Sequence, residues 1–125
     1  MLQKILLISL AGVCGTLARC ALSGLVQRNS GTLFPCGTLA VNVLGCLVAG
    51  LLWTLCESRL QISGSTRTII FVGFLGAFTT FSAFMLETGN MISDSEYFRA
   101  GLNILLQNSL GLAAFFAGIF AGRIF

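Results

Sequence analysis

The chain has 125 residues, of which 56% are hydrophobic and only 9% are charged, and its formal net charge is +3. A mean hydropathy of +0.96 and this scarcity of charge exclude an ordinary soluble domain, in which about 25% of the residues are charged. The composition therefore predicts a single small membrane domain.

A membrane-spanning helix needs about 20 mainly apolar residues, and four stretches of that length follow one another along the chain. They cover residues 5–26, 33–56, 68–91 and 98–122, and we number them spans one to four. The first apolar run, which follows Lys4, continues past the length of a signal peptide, so we interpret it as a retained helix. The sequence thus predicts an all-α membrane protein.

Polar side chains interrupt the first two spans. Arg19 lies in span one, and Thr38 and Asn42 lie one turn apart on one face of span two. Because hydrocarbon offers no water to such groups, they mark a pathway or a binding site by default. The Asn42 amide carries two N–H donors that could line a pathway. Alternatively, it could simply form a hydrogen bond between helices.

Span three has the least regular helical sequence of the four. Gly73 and Gly76 precede the β-branched pair Thr79 and Thr80, which disfavours an uninterrupted helix. Broken membrane helices turn freed carbonyls towards bound ions, so a break between Gly76 and Thr80 would form a candidate cation site. The glycines could instead serve close packing alone.

Two phenylalanines, Phe81 and Phe84, follow that point and share one helical face. An aromatic ring has a positive edge, so ring edges that point into a pore can contact an anion without a fixed charge. The alternative is an ordinary aromatic stripe that faces lipid or the protein core.

Span four carries Asn103 and Gln107 at one-turn spacing. These amides could extend a ladder of hydrogen-bond donors across the membrane, or they could only bond neighbouring helices together. Four helices rarely enclose a protected polar path alone, so we expect at least a dimer. Small residues at four-residue spacing predict tight helix packing, and they are Ala11 and Gly15, Gly45 and Ala49, and Ala114, Gly118 and Gly122.

The five cysteines are odd in number and show no close pairing, and the chain has no histidine. We interpret them as small packing residues rather than disulfides or metal ligands. Without a histidine, a nucleophile motif or paired carboxylates within the membrane, we expect no enzymatic activity.

The distribution of basic residues gives only a weak orientation signal. With four spans, Lys4, Arg59, Arg67 and Arg123 flank the side of the termini, whereas Arg28 and Arg99 flank the other side. Topology follows such flanking charges. We therefore expect copies to insert in both orientations.

Three motifs resemble those of the Fluc family of small bacterial fluoride channels, and in particular of its enterobacterial members. They are GVCGTLAR at residues 12–19, GTLAVNVLG at 37–45 and GAFTTFSAF at 76–84. The resemblance implies an antiparallel, dual-topology homodimer with two fluoride pores and a structural sodium ion at the centre of the dimer interface.

The resemblance also assigns roles to individual residues. It implies that Gly76 and Thr79 give backbone carbonyls to the sodium ion, and that Phe81 and Phe84 line the fluoride route. Asn42 matches the pore asparagine. Arg19 matches the arginine near the vestibule, and the family's hydroxyl track on helix four falls on Asn103, Gln107 and Gly111. The family commonly has a second glycine and a second threonine where this chain has Ala77 and Ala83, so Ser82 must supply that hydroxyl alone.

These expectations describe a passive channel that exports toxic fluoride across the bacterial inner membrane. The expected route begins at Arg19, passes Asn42, Phe81 and Phe84, and continues along Thr38, Ser82, Asn103 and Gln107. The alternatives are a small dual-topology multidrug exporter, which needs a carboxylate in its first helix where this chain has Arg19, and a membrane scaffold without transport. Fluoride efflux from liposomes distinguishes the three.

Overall fold

A computed structural model describes residues 1–58 and 62–124 of the chain. Arg59, one of the flanking cations counted above, lies outside the described residues. All regular structure in the described part is helical, and four segments are long and apolar enough to cross a membrane. They are Leu2–Ser30, Cys36–Glu57, Gly64–Ser93 and Tyr97–Ile124. The predicted all-α membrane architecture is confirmed, and the chain is a multi-pass membrane protein.

The first, second and fourth spans are single helices, whereas the third consists of several helical pieces. In chain order the elements are α1 (Leu2–Ser30), α2 (Cys36–Ser58), α3 (Gly64–Thr68), a π-helical segment (Ile69–Leu75), α4 (Gly76–Phe78), α5 (Phe81–Ser93) and α6 (Tyr97–Ile124).

The helices begin and end at residues other than those predicted, because local backbone conformation and capping hydrogen bonds set their ends. Helix α1 continues to Ser30 and ends where Gly31 adopts a left-handed conformation, with φ 60° and ψ 16°. Helix α2 begins at Cys36 rather than at residue 33, because Pro35 restricts the residue before it to extended backbone. The third span begins four residues early, at Gly64, because the Ser63 hydroxyl caps the helix by accepting a hydrogen bond from the Thr66 amide.

The predicted break in span three is confirmed, and it lies at Thr79 and Thr80. Both residues have extended backbone, with φ −84° and ψ 161° at Thr79 and φ −151° and ψ 107° at Thr80. Helix α5 restarts directly after the break, where the Thr80 hydroxyl accepts a hydrogen bond of 3.2 Å from the Ala83 amide. The preceding π-helical segment was not predicted, since a register change within one apolar run leaves no mark in the hydropathy pattern.

The bundle is held together by close helix contacts at small residues. Helix α2 has its most extensive contacts with α6, and α1 packs against the π-helical segment and α2. A β-carbon at Gly118 would overlap the Leu47 carbonyl, and one at Gly15 would overlap the Phe74 carbonyl. The predicted packing role of these two glycines is confirmed. At these glycines the backbone of one helix therefore lies directly against the backbone of its neighbour.

Candidate functional site

Asn42 on α2 bridges the break in span three. Its Oδ1 accepts a hydrogen bond of 2.8 Å from the Thr80 amide, and its Nδ2 donates to the Thr80 carbonyl at 3.1 Å. Extended backbone at Thr80 exposes both peptide groups to the side of the chain, so one amide side chain can pair with both. The interhelical hydrogen bond that was the alternative for Asn42 is therefore present, and it satisfies backbone groups that the break frees.

Gln107 on α6 continues this polar cluster. Its Oε1 accepts a hydrogen bond of 3.0 Å from Asn42 Nδ2. Its side chain is only 8% exposed, and its Nε2 has no hydrogen-bond partner among the described residues. The structure thus brings Asn42 and Gln107 together, and it leaves one buried donor group free.

An open cavity of about 220 Å³ lies beside Asn42 and Gln107 and is also lined by Phe81 and Phe84. The two rings meet edge to face, with centroids 5.5 Å apart and planes at 72°. Phe84 is 3% exposed, whereas Phe81 is 71% exposed. Four of the seven residues that were predicted to line the fluoride route therefore share one cavity.

A second open cavity, of about 710 Å³, is lined by Arg19 together with Thr38, Ser82 and Glu87. Arg19 forms no ion pair with a described acidic residue. The Thr38 hydroxyl donates to Glu87 Oε1 at 2.5 Å, and Glu87 Oε2 is buried without a partner among the described residues. This cavity has the features of a polar vestibule, which we call the Arg19 vestibule, and it contains both a cation and a carboxylate.

Thr80 lines both cavities. Its hydroxyl lies 3.5 Å from the Ser82 hydroxyl on the vestibule side, while its peptide group pairs with Asn42. Thr80 therefore lies between the Arg19 vestibule and the cavity with the phenylalanines.

Asn103 lies away from these cavities. Its side chain is 0% exposed, and Nδ2 donates to the Thr88 hydroxyl at 3.0 Å, which in turn donates to the Phe84 carbonyl at 2.8 Å. Its Oδ1 has no partner in the described part of the chain. Asn103 thus bonds α6 to α5 behind Phe84, which is the geometry of an interhelical hydrogen bond.

The two carbonyls predicted for sodium are freed by the same contacts that form the break. In a continuous helix, the Gly76 carbonyl would accept from the Thr80 amide and the Thr79 carbonyl from the Ala83 amide. Those amides instead donate to Asn42 Oδ1 and to the Thr80 hydroxyl. Gly76 and Thr79 also line a third open cavity, of about 630 Å³.

Sequence reasoning missed two residues of this site. Thr80 was read only as part of a break, although it joins the two cavities. The second is Glu87, which lies six residues before the end of α5 at Ser93 and lines the Arg19 vestibule. A carboxylate within an apolar span was the signal that could have identified it.

Comparison with known proteins identifies the family of the chain. The sequence profile of the family described as CrcB-like protein, Camphor Resistance (CrcB), matches residues 6–119. The chain belongs to the CrcB family. The match covers all four spans, so it confirms the family resemblance that the three motifs predicted.

Three relatives of the chain carry the name fluoride-specific ion channel FluC. The protein of Desulforapulum autotrophicum is 55% identical over 122 residues, which cover 98% of each chain. The protein of Nitrosococcus oceani is 50% identical over 124 residues, which cover 99% of each. The protein of Solidesulfovibrio magneticus is 46% identical over 124 residues, again with 99% of each covered. None of these matches tests the narrower resemblance to enterobacterial members, which stays a prediction.

Proposed function

We propose that this chain forms a fluoride-selective channel that lets fluoride leave the cell passively across the bacterial inner membrane. The observation that carries the proposal is that Thr80 lines both the Arg19 vestibule and the cavity that Asn42, Gln107 and the two phenylalanines share. The names of close relatives that match over almost the full length support fluoride as the ion. A channel needs no catalytic group, so we expect no enzymatic activity.

Fluoride is small and strongly hydrated, so a selective pore must replace most of its water shell with close donors. Neutral amides and ring edges can do so without a fixed charge that would hold the ion too tightly. Arg19 attracts the anion to the vestibule, where the field of one cation raises its local concentration. Packed rings resist spreading for a larger halide, which gives selectivity against chloride.

The active unit that we propose is an antiparallel, dual-topology homodimer with two pores. Phe81 is 71% exposed in the single subunit, and a second copy over this face would enclose the cavity beside it. Span four contributes Gln107 to the route, while Asn103 contributes through its bond to Thr88, behind Phe84. Thr38 and Ser82 line the vestibule end of the route.

A structural sodium ion fits the chemistry of the break. The Gly76 and Thr79 carbonyls have lost their helical donors to side chains, and carbonyl oxygens are suitable ligands for a hard cation. Two such carbonyls from each subunit would supply four ligands at the dimer interface. When bound, the ion would neutralise the carbonyl dipoles that lipid leaves unsatisfied.

Fluoride efflux from liposomes tests the proposal. Purified protein is reconstituted into vesicles loaded with potassium fluoride, and a fluoride electrode records efflux before and after a potassium ionophore is added. We expect rapid efflux that requires the ionophore and is independent of a proton gradient, together with little chloride efflux. The matched variant is Phe81→Ile, which keeps the side chain apolar but removes the ring edge. We expect this variant to lower fluoride efflux while the protein still assembles.

Each rival function predicts a different result. A multidrug exporter would show proton-coupled uptake of a cationic drug, although the first span contains no acidic residue. A scaffold would show neither activity. Wild-type efflux no faster than that of empty vesicles, with a correctly assembled protein, would contradict the channel proposal.

A further inference from the structure

We propose that the cavity between the first turns of α1 and the beginning of span three binds the phosphate group of an anionic phospholipid. This cavity has a volume of about 300 Å³, and residues of both spans line it, among them Lys4 of α1 and Ser65 of α3. None of its lining residues lines the three cavities described above. The lipid site is therefore separate from the proposed fluoride route.

The length of α1 places this cavity at the depth of the lipid headgroups. Helix α1 has 29 residues, which at ~1.5 Å per residue gives about 44 Å, whereas the hydrocarbon core is about 30 Å thick. Divided between the two ends, the excess leaves about 7 Å, or about four or five residues, outside the hydrocarbon at each end. At the far end these are the polar residues 27–30, and at the near end they include Gln3 and Lys4.

The donors of this cavity have no partners in the described part of the chain. Lys4 forms no ion pair with a described acidic residue, whereas Arg67 and Arg99 each pair with a glutamate. Gln3 and Ser65 are exposed, and their side chains form no hydrogen bond with a described residue. One ammonium group and two neutral donors, supplied by two spans, are therefore available to an anion in the cavity.

The deeper part of the cavity wall is apolar. Leu7 follows Lys4 by three residues on α1, and Ile69 follows Thr66 by three residues on span three. Each apolar residue therefore lies about one helical turn further into the membrane than its polar neighbour. The glycerol and first acyl carbons of a lipid would cover these side chains, whereas a free phosphate ion would gain nothing from them. The polarity of the wall thus favours a lipid over a free anion.

The charge of the lining residues indicates the class of headgroup. Lys4 supplies a positive charge, and no described residue that lines the cavity is acidic. The ammonium group of a zwitterionic headgroup would find no opposite charge there and would be repelled by Lys4. A headgroup with a net negative charge experiences only attraction, and basic pockets between membrane helices bind such headgroups.

Native mass spectrometry tests this site. The protein is reconstituted into nanodiscs that contain equal amounts of phosphatidylglycerol and phosphatidylcholine, and the lipids that stay bound after gentle release are identified and counted. We expect the wild-type protein to retain more phosphatidylglycerol than phosphatidylcholine. Lys4→Gln keeps a polar side chain but removes the charge, and it should lower the retained phosphatidylglycerol about fivefold, the effect of one cation near the membrane surface.

The matched control is Arg123→Gln. Arg123 is an exposed cation in the last turn of α6, on the same side of the membrane as Lys4, but it does not line the cavity. We expect this control to retain as much phosphatidylglycerol as the wild type. An equal loss in the two variants would indicate general attraction to the protein surface and would overturn the proposal. Equal retention of the two lipids by the wild type would overturn it as well.

Inorganic phosphate in excess distinguishes a lipid from a free anion. If a lipid occupies the cavity, added phosphate should leave the amount of retained phosphatidylglycerol unchanged. Displacement of the lipid by phosphate would assign the cavity to a free anion and would overturn the lipid assignment. Size-exclusion chromatography establishes that each variant assembles like the wild type, and the comparison of lipids and the phosphate competition use the wild-type protein alone.

Discussion

Replacing Asn42 by leucine, which has a similar volume, should destabilise the fold at the break in span three. The change removes three hydrogen bonds, two to the Thr80 peptide group and one to Gln107 Oε1. The Thr80 N–H, the Thr80 C=O and the Gln107 carbonyl are then left inside an apolar bundle. The leucine side chain can satisfy none of them.

The expected magnitude follows from those three bonds. Side-chain hydrogen bonds within membrane proteins contribute about 0.6 kcal/mol each on average and up to about 1.7 kcal/mol. Three lost bonds therefore predict a decrease of about 2–5 kcal/mol in the free energy of unfolding. A decrease at the upper end would indicate that the freed Thr80 groups find no water.

Unfolding in a denaturing detergent, followed by circular dichroism at fixed protein concentration, measures this loss. The matched control is Asn90→Leu, because Asn90 is exposed on α5 and its side chain makes no hydrogen bond with a described residue. We expect that control to change stability by less than about 0.5 kcal/mol. If Asn42→Leu and Asn90→Leu were equally stable, Asn42 would not hold the break, and the reasoning would be refuted.

Four further predictions concern the pore and the packing of the bundle. Phe84→Ile should lower fluoride efflux from liposomes by about tenfold or more through loss of a ring edge, while chromatography still shows the assembled protein; unchanged efflux would contradict its role. Arg19→Gln should slow efflux severalfold at low ionic strength, and a deficit equally large in high salt would argue against electrostatic attraction. Gly118→Ala should destabilise the protein because a β-carbon there overlaps the Leu47 carbonyl, whereas Gly101→Ala, with open space beside it, should not; equal stabilities would contradict the packing assignment. Exchanging sodium for potassium at constant ionic strength should lower the midpoint of thermal unfolding, and an identical midpoint would count against the sodium site.

Much of the architecture could be predicted from the sequence because the bilayer imposes a simple rule. An apolar stretch of about 20 residues must form a helix that satisfies its own backbone, so four stretches predict four spans. The break in span three was also predictable, since glycines and paired threonines disfavour a continuous helix. The helix ends were predicted less well, because they depend on local features such as the left-handed Gly31 and the Ser63 cap.

The partners of the polar residues could not be predicted in the same way. Asn42 and Thr80 are 38 residues apart, Asn42 and Gln107 are 65 apart, and Thr38 and Glu87 are 49 apart. A polar residue in a span indicates that some partner exists, because lipid offers none. Which partner it finds depends on how the helices are rotated against one another, and close packing at small residues sets that rotation.

By itself, the sequence determined that the chain is a membrane protein with four spans and that span three is broken. Its motifs also determined which known family it resembles. Only the tertiary structure decided which amide supports the break and which amide keeps a free donor. The physical reason is that hydropathy and helix propensity act along the chain. A hydrogen bond between spans depends on distances of about 3 Å that only the packed bundle fixes.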